Sequence, residues 1–477
     1  MSTYQPVIGL EVHAELATES KIYCGCSTAF GGEENTHICP GCLGMPGTLP
    51  LLNRKVVELC VKAGLALNCK INPYSRQDRK HYFYPDLPKG FQISQLELPI
   101  CYDGYLDIEL AGQRKRIRIN RIHIEEDAGK LIHGAGETRV DLNRGAAGLI
   151  EIVSEPDLSG PDEVYAYMET LRQVLLYAGV SNCRMEEGAL RCDINVSVHH
   201  EGEPFGVRTE MKNLNSLSAA KAAAAYEIKR QTRVLEEGGK LFQATLRWDD
   251  DKGENSVMRT KEDADEYYYF PDPDIMPIVI SQEEVEAIRA SLPEMPEARR
   301  RRYREQYNLS EYDAGILTVS KALSDLFDRA AETGAPPKIC ANFIMGDIIR
   351  LLNEKGLEAE QMPFGGEDLA ELANMVGLGT ISSSAGSKVA ELLFQPANAG
   401  KSPGDIVKEQ NLEQVSDDTA IRDMCREVIE QNPKIAADYR GGKKQALSAL
   451  VGQVMKASKG KANPGMVNQI LLELLEV

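Results

Sequence analysis

The 477-residue chain lacks any apolar run close to the roughly 20 residues that span a bilayer, so no membrane helix is expected. Its start, MSTYQPVIGLEVH, lacks a basic segment followed by an apolar one, so no secretory signal is expected there. Positive charge is in deficit. Fifty-four Lys and Arg face 72 Asp and Glu, for a net charge of −18. That balance argues against indiscriminate nucleic-acid binding, but it leaves room for a local basic patch or for an acidic site filled by metal ions. An even disulfide set is also missing. There are eleven cysteines, an odd number, and four are clustered, which predicts a reduced, cytoplasmic protein. No G-x-x-x-x-G-K-[ST] loop, dinucleotide glycine fingerprint or G-x-S-x-G elbow occurs, and no nucleophile stands beside a base. Phosphoryl transfer on this chain would therefore work by positioning and metal ions. The length exceeds one core, so two or three domains are expected.

What is present centres on residues 121–157. In RIHIEED, Ile122 and Ile124 alternate with His123 and Glu125, and Glu126 and Asp127 follow. Glu151 interrupts the apolar run Leu149-Ile150-Glu151-Ile152-Val153. A carboxylate in such a run is desolvated unless something positive meets it, which admits either buried salt bridges or a bound cation. The first segment alternates too, with Ile8, Leu10 and Val12 on one face and Glu11, His13 and Glu15 on the other. Oxygen ligands with one imidazole suit magnesium or manganese, and a solvated strand face is the plainer alternative. Cys24-Gly-Cys26 and Cys39-Pro-Gly-Cys42 have the spacing of a tetrahedral Cys₄ zinc site, structural because no ligand position is left open. A free-thiol cluster is the alternative, and His37 could replace one cysteine.

Four candidate strands, 7–16, 117–125, 189–198 and 207–213, share one design, an apolar face opposite a face of mixed charge. On the last two, Asp193 stands with Arg191, and Arg208, Glu210 and Lys212 stand together. An antiparallel sheet with one packed and one working face fits this pattern. Carboxylates on that face would hold metal ions, and basic groups would meet phosphate oxygens. Two aromatic phrases, RKHYFYPDLPKGFQISQ at 79–95 and YYYFPDPD at 267–274, read either as surfaces for a base or RNA end, with Arg79, Lys80 and Lys89 beside the rings of the first, or as aromatic-proline turns closing a core corner. Helices are expected at 54–68, at 159–178 with Ser159 as N-cap, and at 216–237. Composition changes after Pro277, a domain boundary is expected near Pro293, and the rest is helical, with basic loops at Arg440, Lys443 and Lys444 and at Lys456, Lys459 and Lys461. These loops fit an RNA backbone and equally fit solvated helix ends.

Taken in order, VIGLEVHAEL, CGC…CPGC, HYFYPDLPKGFQISQ, RIHIEEDAGK, LIEIVSEPD, MEEGALRCDINVSV, TEMKNLNS, YYYFPDPDI and ANFIMGDI resemble the B subunits of aspartyl/glutamyl-tRNA(Asn/Gln) amidotransferases over essentially the whole chain. The resemblance implies an α+β fold: a cradle on an antiparallel sheet at 1–292, a helical domain at 293–405 and a helical tail at 406–477. It implies a C–N ligase working as a heterotrimer with an amidase-like A subunit and a small C subunit. In that family the B subunit uses ATP and magnesium to phosphorylate the side-chain carboxylate of mischarged Glu-tRNA(Gln) or Asp-tRNA(Asn), and ammonia from glutamine then displaces phosphate. Carried over by motif, Glu11, His13, Glu125, Glu126 and Glu151 are expected in the catalytic metal cluster, with Asp193 and Glu210 beside it. Lys80, Arg208 and Lys212 are expected at phosphate from their charge and strand face. The four cysteines match the zinc-bearing branch, and the tail loops would grip the tRNA body. The competing expectation is a non-catalytic, zinc-stabilised tRNA-binding module.

Overall fold

The computed structural model describes residues 4–260, 267–414, 418–458 and 462–475. The chain divides between Met295 and Pro296 into two compact units. The first is built on a nine-stranded sheet. Its strands are β1 (Tyr4–Glu15), β2 (Lys70–Ile71), β6 (Cys101–Leu110), β7 (Gln113–Glu126), β10 (Gly148–Ser154), β11 (Leu190–His200), β12 (Thr209–Leu214), β13 (Ala244–Asp249) and β14 (Glu254–Thr260). They lie in the order β14-β13-β12-β11-β1-β10-β7-β6-β2. Smaller sheets join β15 (Tyr268–Pro271), β4 (Asp78–His81) and β5 (Phe91–Ser94), then β16 (Ile278–Val279) with β3 (Tyr74–Ser75), and β8 (Lys130–His133) with β9 (Thr138–Asp141).

The alternation read from the sequence decides which face packs. Ile8, Leu10, Val12 and Ala14 of β1, Ile122 and Ile124 of β7, Ile150 and Ile152 of β10, and Cys192, Ile194 and Val196 of β11 are all buried in one apolar core. Three helices supply its other side: α1 (Arg54–Ala66), α2 (Pro161–Tyr177) and α3 (Leu217–Glu236). Alanines 219, 220, 223 and 224 form the buried stripe of α3, where small side chains permit close approach to β11. Lower on the same stripe, Glu227 accepts from the Thr209 hydroxyl at 2.8 Å and pairs with Arg230, so its burial leaves no bare charge.

Two local expectations change. The sheet is not antiparallel throughout, because β12 and β13 run parallel. The crossover that parallel pairing requires is α3, which lies between them in the chain. Ser159 does not cap α2; Gly160 holds that position, and the Ser159 hydroxyl instead donates to Glu163 at 3.1 Å.

The second unit is helical and holds two separate apolar cores. One runs from Tyr303 to Val407 around Phe327, Ile344 and Val389. The other runs from Ile421 to Leu475 around Leu450 and Val467. Among the described residues, no helix is long and apolar enough to cross a membrane.

Candidate functional site

Strand register assembles the polar face of the large sheet. Side chains of directly paired residues project on the same side. His13 of β1 pairs with Glu151 of β10 on one side and Arg191 of β11 on the other, and Glu151 pairs in turn with His123 of β7. One step along, Glu11 pairs with Asp193. The row through His13 closes into a cluster, with its Nε2 3.4 Å from Glu125 and 3.3 Å from Glu151. Burial opposes charge on His13, yet its bonds to Glu125 and Glu151 lift its pKa to about 10. Burial likewise opposes both carboxylates, but His123 and His13 hold Glu125 well below its ordinary range, and His123 with His13 brings Glu151 down to about 2. The imidazolium thus stands where a cation is wanted. A metal ligated through Nε2 would take the place of that proton.

A second group lies beside the first. Glu11, Asp193 and Glu210 offer oxygens within 4.8 Å of one another, as do the ligand atoms of His13, Glu125 and Glu151. Lys212 pairs with Asp193 and lies 3.1 Å from Glu210, and the Asn195 amide donates to Glu11 at 3.1 Å. The pKa of Glu11 is raised, by burial first and then by the charges of Glu151, Glu210 and Asp193. Three carboxylates pressing on a fourth is an arrangement that a divalent cation stabilises. The donor set of oxygens and one imidazole fits magnesium or manganese.

The remaining predicted residues separate. Glu126 joins neither group. Consecutive strand residues point to opposite faces, and Glu126 turns to Lys89 and to the Ile93 N–H, 2.8 Å away. Lys80, on β4, has its ammonium 4.6 Å from the Tyr267 ring centre; burial works against its charge, but Glu125 and Glu151 hold its pKa up. Arg208 is exposed one residue before β12 begins, so strand alternation does not place it on the working face. His123 was readable from the sequence as a partner of Glu125, yet its place in the site follows only from register. Its Nε2 lies 3.8 Å from Glu125 and 3.7 Å from Glu151. Arg121 reaches Glu151 at 4.0 Å from the same strand. Behind the cluster, Asp127 takes both Arg191 nitrogens at 2.9 and 3.0 Å and Arg144 at 3.2 Å.

The cysteines converge as their spacing required. All four sulfurs lie within 4.8 Å of one another, with those of Cys39 and Cys42 3.8 Å apart. Zinc–sulfur bonds of about 2.3 Å give a tetrahedron with edges of about 3.8 Å, so Cys24, Cys26, Cys39 and Cys42 fit that ion. His37 stands outside the group; its backbone N–H donates to Asn143 at 2.8 Å. The loop is pinned to the β8–β9 hairpin by Asn35, which donates to the Val140 carbonyl at 2.9 Å and accepts from the Leu142 N–H at 2.8 Å.

In the tail, Lys444 and Lys456 are exposed, Lys443 pairs with Asp438 at 2.9 Å, and the exposed Arg440 donates to the Leu475 carbonyl at 3.3 Å. Lys459 and Lys461 fall outside the described residues.

Residues 6–286 match the family described as "GatB/GatE catalytic domain", and residues 325–475 match "GatB domain". The chain is 54% identical, over 99% of its own length and 99% of the other's, to the B subunit of the aspartyl/glutamyl-tRNA(Asn/Gln) amidotransferase of Caldanaerobacter subterraneus subsp. tengcongensis. The protein of the same name from Moorella thermoacetica is 52% identical over 99% of this chain and 100% of its own.

Proposed function

The chain belongs to the family of aspartyl/glutamyl-tRNA(Asn/Gln) amidotransferase B subunits, and from that premise we propose that the polar face of its large sheet is where ATP phosphorylates the side-chain carboxylate of an amino acid mischarged on tRNA. The observation that carries this reading is the pair of adjacent ligand groups, His13-Glu125-Glu151 and Glu11-Asp193-Glu210, on one half-buried face. A structure that only presented RNA would gain nothing from gathering so many carboxylates where a polyanion must approach.

The chemistry asks little of side chains beyond placement and charge. A carboxylate oxygen of the substrate attacks the γ-phosphorus, ADP departs, and the resulting acyl phosphate gives ammonia a leaving group that a bare carboxylate lacks. Ammonia then forms the amide and phosphate leaves. Magnesium bound at the two groups would supply the positive charge that lets a carboxylate and a triphosphate meet. The six ligand side chains would hold it there. His123 and Arg121 fix the carboxylates of Glu125 and Glu151, and Lys80 and Lys212 bring ammonium groups to the phosphate oxygens. Arg208 would reach phosphate only by swinging in from the rim. Glu126 is a positioning residue, fastening Lys89 and the start of β5. The working assembly is a heterotrimer with an amidase-like A subunit, the source of ammonia, and a small C subunit. Basic groups of the tail, Arg440, Lys443 and Lys444, contact the tRNA body.

The test uses that trimer with Glu-tRNA(Gln), γ-labelled ATP and magnesium but no ammonia donor. Cleavage of ATP that depends on the mischarged tRNA, and that survives inactivation of the glutaminase in the A subunit, is expected. If ATP stays intact with both Glu-tRNA(Gln) and Asp-tRNA(Asn) while the RNA still binds, the chain is a binding module.

Zinc has a separate, structural place in this reading. Cys42→Ser is expected to drop metal content, measured by elemental analysis, from one zinc per chain to none. The thermal midpoint should fall, while tRNA-dependent ATP cleavage at low temperature should keep at least about half its rate, because the sulfurs belong to a different group from the carboxylate ligands.

A further inference from the structure

One cation on the carboxylate face lacks the partner its shape calls for. Along β7 the core side is taken by Ile117 and Ile119 and then by Ile122 and Ile124. Two residues, Asn120 and Arg121, stand between Ile119 and Ile122, and both lie on the other side. This is a bulge, and the pairing of β7 with β10 shifts by one residue between Val153 and Ser154. The extra residue re-aims a side chain. Here it brings a guanidinium beside the ligand groups, with the Arg121 Nη2 4.0 Å from Glu151. That separation is a charge contact and not a hydrogen bond. Among the described residues, the one hydrogen bond of Arg121 is a long one, from Nη1 to Asn120 Oδ1 at 3.4 Å. Its Nε is buried and meets no acceptor. Arg118, on the same strand, closes Nε and Nη2 on Asp157 at 2.9 and 2.6 Å, and Arg191 closes on Asp127. A guanidinium carries its donors in a fixed fork that fits a carboxylate or a phosphate, and a buried donor left unmet costs free energy until such an anion arrives.

Strand register says which anion. Arg121 pairs with Val153 of β10, and Val153 pairs with Glu11 of β1. Directly paired side chains share a face, so the half-buried Val153 is a short apolar floor with Glu11 on one flank and Arg121 on the other. Neighbouring strands are about 4.8 Å apart, which sets the two flanks about 10 Å apart at the backbone. Glu151 precedes Val153 by two residues and stands on the same face. The floor is thus bounded by one member of each ligand group and, on its third side, by the open fork. A phosphoryl group in transfer spreads its charge over three oxygens. The two ligand groups serve two sides of it, and Arg121 is left to the third. The attacking carboxylate is the poorer match, because a fork closed on both its oxygens would tie up the electrons it needs for attack. On the phosphoryl group the same fork stabilises charge throughout the transfer.

We propose that Arg121 is a catalytic residue of the phosphorylation, with its fork on the γ-phosphate of ATP over Val153. An oxygen of the aminoacyl carboxylate bonds to the γ-phosphorus, the bond from that phosphorus to the ADP oxygen breaks, and its electron pair leaves with ADP. The guanidinium keeps its protons throughout and only meets the phosphoryl oxygens. Before nucleotide binds, the charge contact with Glu151 keeps the empty fork at the edge of the floor. This rests on the sheet face being the phosphorylation site.

The experiment compares nucleotides and not turnover. The assembled trimer, with uncharged tRNA(Gln) present, is titrated in manganese with either ADP or the β,γ-imido analogue of ATP. The native trimer should hold the analogue more tightly than ADP. Arg121→Gln should weaken the analogue about tenfold to a hundredfold, as expected for hydrogen bonds to a charged group, and leave ADP and manganese affinity nearly unchanged. Arg121→Lys keeps the charge and loses the fork, so it should fall between the two, and it serves where Arg121→Gln folds poorly. A native preference for the analogue that persists in the folded variants would overturn the proposal and leave the phosphorylation reading standing. So would equal loss of both nucleotides and of manganese, which would make Arg121 a holder of Glu151 alone. Equal native affinity for the analogue and ADP would also count against it. A variant that keeps the nucleotide preference but binds tRNA(Gln) carrying glutamate through a stable amide more weakly, with uncharged tRNA unaffected, would move the fork to the substrate carboxylate. A native trimer that binds neither nucleotide would sink the phosphorylation reading and the proposal with it.

Discussion

Glu125→Gln is expected to lower tRNA-dependent ATP cleavage by about a hundredfold or more, with the trimer intact and tRNA affinity little changed. The substitution keeps the shape of the side chain and removes only its charge. In the native site Glu125 is buried, takes the Ser94 hydroxyl at 3.2 Å, and faces His13 Nε2 at 3.4 Å. An amide in that place can still accept from Ser94, so packing survives. It offers a divalent ion one neutral oxygen where a full negative charge stood. Loss of a group that only orients metal ligands costs about 10- to 100-fold, and loss of a ligand itself should cost more. The effect must therefore also appear as weaker manganese binding, which electron paramagnetic resonance measures directly on the trimer. Near-native cleavage and manganese affinity in Glu125→Gln would remove this residue from the site. It would also shift weight to the neighbouring Glu11 group as the one that matters.

The site was legible in the sequence to the extent that strand alternation governs it. A period of two puts Glu11 and His13 on one face of β1 and Asp193 on one face of β11, and the structure keeps them there. The same rule separates Glu126 from Glu125. Grouping the two followed the motif and not the pleat, and the structure sends Glu126 to Lys89. Arg208 shows the opposite failure. Alternation placed it with Glu210 and Lys212, but the ladder begins only at Thr209, so the rule had nothing to act on. Register between distant strands lies beyond any local pattern. That β10 lies between β1 and β7, bringing Glu151 within 3.3 Å of His13, joins segments more than 130 residues apart. The parallel β12–β13 pair was within reach, since a strand, a long helix and a strand in succession form the crossover that parallel pairing needs. The cysteine cluster was the easiest to read because short spacing alone confines the four sulfurs.

Asp127→Ala is expected to destabilise the protein by about 3 kcal/mol, a fall in thermal midpoint that calorimetry or circular dichroism resolves. Asp127 is a buried carboxylate held by two guanidinium groups, with Arg191 bidentate at 2.9 and 3.0 Å and Arg144 at 3.2 Å. Its own oxygen also accepts the Ala128 N–H at 2.8 Å. Deleting one partner of a buried pair typically costs about 3–5 kcal/mol, because the charges left behind have no compensation. Two features hold this case to the low end. Arg191 and Arg144 each keep about a third of their side-chain surface in water, which screens the loss. Glu15 also stands ready to replace the missing charge. Burial and the Asp127 carboxylate push its pKa up to about 8, so at neutral pH it is largely protonated. Without Asp127 one of the two pressures on it is gone, and it ionises against Arg191. A double variant tests that compensation: Asp127→Ala with Glu15→Gln should lose more than the sum of the two single changes, since Glu15 is worth little to a chain that still has Asp127. A strictly additive pair would mean that Glu15 does not take over. The network then bears on catalysis through place alone. Arg191 pairs across the strands with His13, and Glu15 follows His13 by two residues on the same face of β1. Slack in these partners moves the imidazole that Glu125 and Glu151 depend on. Residual activity in the folded Asp127→Ala protein should accordingly fall through weaker metal affinity, and it should recover as manganese is raised.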